Sequence, residues 1–302
     1  MDRMKSLEVF VAIADLGSFR RAAMQLRMSA AMTTTHLNRL EEQLGVRLIA
    51  RTTRRLELTE QGREFLGDAR AILQMLSAAE KRVSSGDGRP SGHVRLDAPA
   101  SLGNLYLVPA LSRLREAYPD IVIHLTLGDR GTLFRTDGFD VLVRVGEIPR
   151  SEPVSIVLGE TRFMLVASPN YLSRRGMPHS VEDLLDHDCI LYSTVEAPGG
   201  SPWRLLKGGE IQHVSPPATV TFNDGRAITD AAIAGQGIAQ NLEMLMHAPL
   251  EDGRLVGVLG EWCGVTVPVV LLCPADRYEI PAVRAVTDFL AGEVDWGLAP
   301  NE

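Results

Sequence analysis

Apolar positions near the N-terminus recur at helical spacing in short bursts. Phe19, Ala22, Ala23 and Leu26 make one stripe, the signature of an amphipathic helix. Ser18 follows Gly17 and precedes this burst, the position of an N-cap. After a break at Arg27-Met28, Ser29 offers a second cap. Met32, Leu37, Leu40 and Leu44 then form the expected buried face of a second helix, which Gly45 ends. Residues 46–49 and 56–58 alternate as two short strands around a basic loop at 50–55. The segment before all this, 1–19, is interrupted by Glu8 and Asp15 and reads as an amphipathic helix, not a signal peptide.

A long helix is predicted next, over about 59–84. Phe65, Ala69, Ile72, Leu76, Ala79 and Val83 follow one another at steps of 4, 3, 4, 3 and 4. That is a heptad seam. A seam so narrow on a helix between two domains points to a partner helix; packing on its own domain is the alternative. The run Ser84-Ser85-Gly86-Asp87-Gly88-Arg89-Pro90-Ser91-Gly92 reads as a hinge or linker. From His93 onward strands and helices alternate. Strands are expected at 94–98, 121–127, 139–145, 163–167, 189–192, 219–222 and 267–273. Helices are expected at 102–118, near Tyr171, and at 181–185, 224–234 and 280–291. This alternation predicts an α/β fold with parallel pairing.

Charge sharpens the picture. The chain of 302 residues carries a net charge of −7. Between Ser18 and Arg55, eight arginines face only Glu41 and Glu42, so 8 − 2 = +6. Positive charge is thus concentrated where two capped helices and a basic hairpin form a winged helix-turn-helix pattern, and phosphate neutralisation is its natural use. The candidate DNA contacts are Ser18, Arg20, Ser29, Ala30, Ala31, Thr33, Thr34, Thr35, Asn38 and Arg39 on the helices, with Arg51, Thr52, Thr53 and Arg54 in the loop. Short hydroxyl and amide groups on such a helix reach base edges or phosphates; a solvated polar face is the plainer alternative. Length suggests two or three domains, and 45% hydrophobic residues suffice for their cores. No stretch of about twenty apolar residues exists, so no membrane span is expected. Cys189, Cys263 and Cys273 are few and unspaced, as in a reducing cytosol. A redox pair of Cys189 with Cys263 stands against plain buried thiols.

The ordered motifs Phe10, Gly17-Ser18-Phe19, Ala22-Ala23, Leu26, Ser29, Leu40-Glu41, Leu44-Gly45-Val46-Arg47-Leu48, Arg51-Thr52, Leu58-Thr59 and Gly62 resemble the N-terminal domain of LysR-type transcriptional regulators. Further on, Tyr118-Pro119, Gly138-Phe139-Asp140, Arg144-Val145-Gly146, Ala167-Ser168-Pro169, Tyr171-Leu172, Asn223-Asp224, Ala234-Gly235 and Gly237-Ile238-Ala239 resemble their effector domain, which has the two-lobed fold of periplasmic binding proteins. The resemblance implies a winged helix-turn-helix domain over 1–58, a dimerisation helix and hinge over 59–91, and an effector-binding domain over 92–302. Lobe I would take 92–162 and 267–302, and lobe II 163–266. The chain departs from the family pattern at Ala30-Ala31, where a polar residue often follows the cap serine. It departs again at Thr34-Thr35, where Ser-Arg is frequent, and at Asn241-Leu242, where Leu-Pro is usual.

In an α/β cleft of this kind a ligand sits at strand C-terminal ends and helix N-termini. The effector candidates are Pro99, Ala100, Ser101, Arg144, Gly146, Trp203 and Asn223. Ser101 could cap a helix or bond a ligand. Arg144 ends an apolar strand and needs a partner, either a ligand carboxylate or Asp140. Asn223 could cap the next helix or touch the ligand, and Trp203 could cover the cleft or pack on the surface. A small organic acid is the candidate effector class, since arginine suits carboxylates. No cofactor and no metal are expected: the chain has no nucleophile elbow and no Walker loop. Gly235-Gln236-Gly237 breaks off at Gln240, and Asp186-His187-Asp188 reads as a polar helix end. The expectation is a cytoplasmic regulator, not an enzyme, with double-stranded operator DNA, a small molecule and a second copy as partners. A homotetramer and contact with RNA polymerase are family expectations. The other class, an enzyme with an accessory DNA-binding head, would reveal itself by turnover of a bound molecule.

Overall fold

A computed structural model describes residues 2–51, 56–85, 89–128, 138–146, 154–194 and 197–298. Thr52, Thr53 and Arg54 lie outside the described residues, as do the side chains of Arg51 and Val83. The chain opens with three helices, α1 (Arg3–Leu16), α2 (Phe19–Gln25) and α3 (Ala30–Leu44). Strands β1 (Ile49–Arg51) and β2 (Leu56–Leu58) pair antiparallel, Ile49 opposite Leu58. Both expected caps are present: Ser18 Oγ accepts from the Arg21 amide and Ser29 Oγ from the Met32 amide. Gly45 ends α3 at φ +71°, a left-handed turn that costs glycine nothing. Leu7, Phe10, Ile13, Ala22, Leu37, Leu40 and Leu48 close the core beneath.

The buried face of α3 differs from the apolar count. It comprises Thr33, His36, Leu37, Leu40 and Glu41, while Met32 is 50% exposed. Polar residues occupy the inner stripe because each finds a partner there. Thr33 donates to Ser29 O, His36 Nδ1 bonds Ser6 Oγ at 2.9 Å, and Glu41 Oε1 accepts the amides of Leu48 and Ile49. Buried polar groups are tolerated when so paired.

Helix α4 (Glu60–Ser85) uses three faces. Phe65 and Ala69, expected in the dimer seam, pack instead into the core of the N-terminal head, with Leu66 and Leu73. Ala69 is fully buried within one chain, so a partner helix has no access to it. Ala71 joins the core of the first lobe. Ile72, Met75 and Leu76 remain exposed at 39%, 48% and 38%.

The C-terminal part is a nine-stranded sheet in two halves. The strands are β3 (Gly92–Ala98), β4 (Ile121–Leu127), β5 (Val141–Val145), β6 (Val154–Ala167), β7 (Cys189–Tyr192), β10 (Ala218–Phe222), β11 (Ile238–Leu242), β12 (Val256–Gly257) and β13 (Thr266–Cys273). The order is β10-β7-β11-β6-β13-β5-β3-β4, with β12 also on β6. Parallel pairing holds for β3 with β4 and β5, and for β7 with β10 and β11. At the centre the pairing is antiparallel, through β13 with β5 and β6 and through β11 with β6. The expected parallel pairing is joined there by antiparallel pairs because β6 runs fourteen residues across both halves. Its first half pairs with β13 and its second with β11. A separate hairpin, β8 (Trp203–Lys207) with β9 (Glu210–Val214), packs on the second half.

Helices cover both halves: α5 (Ala100–Leu102), α6 (Val108–Ala117), α7 (Pro169–Arg175), α8 (Gly225–Ile233), α9 (Glu243–Glu251), α10 (Ala275–Tyr278) and α11 (Pro281–Gly292). Between α5 and α6 runs a π-helical turn, Gly103–Leu107. The first half builds its core from β3, β5, β13 and α11, through Leu96, Val143, Leu271 and Val286. The second builds two, one around Leu165, Tyr171 and Trp203 and one around Ile190, Ile228 and Met246.

Candidate functional site

The head presents its chemistry on the outer face of α3. Ala31, Thr35 and Arg39 are exposed and stand four residues apart, and the exposed Met32 lies next to Ala31 and three residues before Thr35, so the four share one side of the helix. Thr35 Oγ1 donates to Ala31 O at 2.9 Å and Thr34 Oγ1 to Ala30 O at 3.1 Å. Each hydroxyl spends its proton on its own helix, so each faces outward as an acceptor. Thr33 is withdrawn from this surface by full burial. Sequence reasoning missed Met32 because an apolar residue was assigned to the core by type. Its spacing to Thr35 and Arg39 was the available signal. Arg20 is exposed in the first turn of α2. The wing is mounted on α3 by Glu41, whose Oε2 meets Arg47 Nη1 at 2.6 Å while Oε1 takes the two amides at the start of β1. Thr59 locks the hinge of wing and α4: it donates to Arg47 O at 2.6 Å and accepts from the Gly62 amide.

In the C-terminal part, the short α5 brings Ser101 to the second lobe. A Cβ on Gly225, the first residue of α8, would lie 3.4 Å from Ser101 Oγ. Ser101 does not cap its own helix, whose N-cap is Pro99 without a side-chain bond. Asn223 is exposed, and the cap of α8 is Asp224, whose Oδ1 accepts from the Ala227 amide at 2.9 Å. Arg144 finds its partner in Asp97, at 2.5 Å, and not in Asp140 or an open cleft. Asp140 is held by Arg95, which takes it with both Nε and Nη2. Trp203 neither covers the cleft nor lies in a loop. It begins β8 and is 2% exposed in the second lobe's core. Gly146 ends β5 at φ +120° and donates its amide to Pro268 O. Pro99, Ala100 and Ser101 follow the end of β3, with Ser101 beside α8, and Gly146 follows the end of the neighbouring parallel strand β5, whereas Trp203 does not join them.

The departure at Asn241-Leu242, and Gln240 just before it, have clear structural consequences. Gln240 pairs through its side-chain amide with both backbone groups of Arg204, tying β11 to β8. Asn241 Nδ2 donates to Gly225 O at 2.7 Å and to Thr229 Oγ1, and its Oδ1 accepts from the Leu242 amide. The first turn of α8 is therefore clamped from behind by a buried amide. All three cysteines are free thiols, and burial pushes Cys189 and Cys273 up to about 12. Thiols held in that state are poor redox partners.

Residues 4–63 match the family described as bacterial regulatory helix-turn-helix protein, lysR family. Residues 87–295 match the LysR substrate binding domain. The chain belongs to the LysR family of transcriptional regulators. The HTH-type transcriptional regulator CrgA of Neisseria meningitidis is 32% identical over 293 residues, 96% of each chain. The solved structure of a CrgA from Neisseria meningitidis superposes with a TM-score of 0.60, covering 96% of this chain and 98% of that one, at 32% identity. The full-length Vibrio cholerae virulence activator AphB, at 28% identity, gives 0.62 over 97% and 99%. The LysR-type fold, a helix-turn-helix head followed by a two-lobed α/β domain, is shared along nearly the whole chain. As a family member it is a DNA-binding transcriptional regulator with an effector-binding domain. Among the described residues no helix is long and apolar enough to cross a membrane.

Proposed function

We propose that this LysR regulator reads a two-fold symmetric operator with the outer face of α3, using Met32, Thr35 and Arg39, together with the wing that carries Arg51 and Arg54. Arg20 and the capped helix N-termini at Ser18 and Ser29 hold phosphates. The observation that carries this reading is the exposed row Ala31, Met32, Thr35 and Arg39 on a helix whose opposite side is locked into the head. Met32 and Ala31 suit a thymine methyl, and the Thr35 hydroxyl suits a base-edge donor. Residues 1–58 read DNA, 59–91 join two copies, and 92–302 bind the effector in the cytoplasm. A dimer places two heads on half-sites, a tetramer assembles through the effector domains, and RNA polymerase is the downstream partner.

The effector is a small molecule held between the lobes, beside Ser101 and Gly146. Asp97 already neutralises Arg144, and Asp224 places a carboxylate at the N-terminus of α8. An organic acid therefore lacks its expected anchor, and a neutral hydrogen-bonding molecule suits this cleft better. Its binding would change the lobe angle and so the spacing of the heads.

Selection from random duplexes by the full chain, followed by gel shifts, tests the DNA reading. The expected site has two half-sites about one helical turn, ~10 base pairs, apart. Thr35→Ala should change base preference. Arg54→Ala should weaken all sequences alike and flatten the salt dependence by about one unit of slope. Unchanged preference in Thr35→Ala, or an unchanged salt slope in Arg54→Ala, refutes the corresponding contact.

A further inference from the structure

A cavity of about 560 Å³ lies where the two lobes part, at the point where β11 leaves β6 and turns into α9. Neither Ser101 nor Gly146 lines it. Tyr106 and Gly297 line it from the first lobe, Glu243 and Met244 from the start of α9, where Met244 packs on the first lobe's core, and Glu160, Thr161 and Arg162 from β6 as it crosses between the lobes. A molecule held there touches both lobes and the strand that joins them. It would therefore bind one lobe angle better than another, which is what an effector must do.

Two local features build the site. The first is the π-helical turn at Gly103–Leu107, a rare arrangement found frequently at functional sites. Gly103 permits it, since a Cβ there would lie 2.1 Å from Leu127 Cδ2. The turn brings Tyr106 to the cavity, where its hydroxyl donates to Met244 O across the lobes at 3.3 Å and its ring leans on Trp296. Burial pushes the Tyr106 phenol up, so it stays a donor.

The second feature is the charge pattern. Arg162 is engaged by Glu243 through both Nε and Nη2, at 2.8 and 2.6 Å. Glu160 stands two residues earlier on β6, and no ion pair holds it among the described residues. His247 also lines the wall and faces its own carboxylate partner, Glu251, at 3.4 Å. With the imidazole neutral, the wall carries one carboxylate in excess and no uncommitted guanidinium, beside an aromatic ring and a methionine. A carboxylate together with an aromatic face is the chemistry that holds an ammonium group.

We propose that this cavity is a second ligand site, for a small organic cation with an apolar or aromatic body. Glu160 holds the cationic head, and Tyr106 and Met244 pack on the body. Occupancy braces the contact of Tyr106 with α9 and so favours the lobe angle seen here.

Tryptamine and indole-3-acetate share one body and carry opposite charge, so they serve as matched probes of the full-length protein in calorimetry. Tryptamine should bind, and indole-3-acetate should bind at least about ten-fold more weakly, the scale of one charge-assisted hydrogen bond. Glu160→Gln should weaken tryptamine about ten-fold and narrow its lead over the acid. Thr266→Trp alters an exposed position on the rim, so it should fold normally, as circular dichroism would verify, and still exclude tryptamine. Ser101→Ala should leave tryptamine binding unchanged. Absence of tryptamine binding, equal affinity for the two probes, or indifference to Glu160→Gln overturns the site. Loss of tryptamine binding in Ser101→Ala places the ligand in the other cleft and overturns it too, leaving the operator reading untouched.

Discussion

His36 shows what a single buried polar residue does to this head. It is 4% exposed on the inner face of α3 and bonds Ser6 Oγ on α1. Burial foremost, then the charges of Lys5 and Arg39, lower its pKa below 6.5. The sign follows from linkage. Above pH 6.5 the ring is neutral in both folded and unfolded chains. As the pH falls below 6.5 the unfolded chain takes up the proton first, so stability is lost. For one such group the slope is at most about 1.4 kcal/mol per pH unit. Burial also lowers His187 in the second lobe, and its contribution is common to wild type and a His36 variant. Scanning calorimetry should therefore show the wild-type melting temperature falling more steeply between pH 7.5 and 5.5 than that of His36→Gln. Parallel curves would mean that His36 does not titrate with folding.

At the scale of elements, periodicity identified α2, α3, α4 and most strands, because those elements bury apolar residues at regular spacing. It failed wherever partners replaced apolarity. Thr33, His36 and Glu41 are inner residues of α3, since each has a hydrogen bond waiting. The first half of β6, Val154 to Glu160, escaped notice because it lacks strict alternation and is interrupted by Ser155 and Gly159; pairing with β13 makes it a strand. The β8–β9 hairpin was hidden in a stretch rich in glycine and proline, which made Trp203 look like a loop residue. Arg144 was legible as a cation needing a partner, but the choice of Asp97 depends on β3 lying beside β5. The wing shows the same dependence on a buried carboxylate. Glu41→Ala would leave the amides of Leu48 and Ile49 without acceptors and release Arg47. The cost should be about 2–6 kcal/mol, at 1–3 kcal/mol for each of the two buried amides left unpaired. Denaturant unfolding of the variant checks this; a loss below 0.5 kcal/mol would mean that water or another side chain satisfies the start of β1.

At the scale of the whole molecule, α4 is the element that joins the head to the first lobe. Phe65 and Ala69 bind it to the head, Ala71 binds it to the first lobe, and Arg70 pairs with Asp15 on α1. Arg277 of α10 approaches α4 at Gly67, where a Cβ would stand 3.2 Å from its Nη2. A change in the first lobe therefore has a packed route to the head. What a single chain leaves uncovered on α4 is the row Ile72, Met75 and Leu76, at the i, i+3, i+4 spacing of a helix–helix contact. Three large apolar side chains on one exposed helical face, on the element that carries a DNA-reading head, fit the matching face of a second copy. We propose that the dimer contact occupies the middle of α4; the earlier part of the heptad pattern packs into the head. Two-headed binding depends on that contact, so assembly and operator affinity should fail together. Ile72→Asp places a charge in the paired face, where an unpaired carboxylate is costly. It leaves each chain's own cores intact, because Ile72 belongs to none of them. Light scattering should give the mass of a single chain, and gel shifts should show loss of tight operator binding while weak, salt-sensitive binding by one head persists. An unchanged mass would refute the contact. A single-chain mass with undiminished operator affinity would show that one head alone suffices.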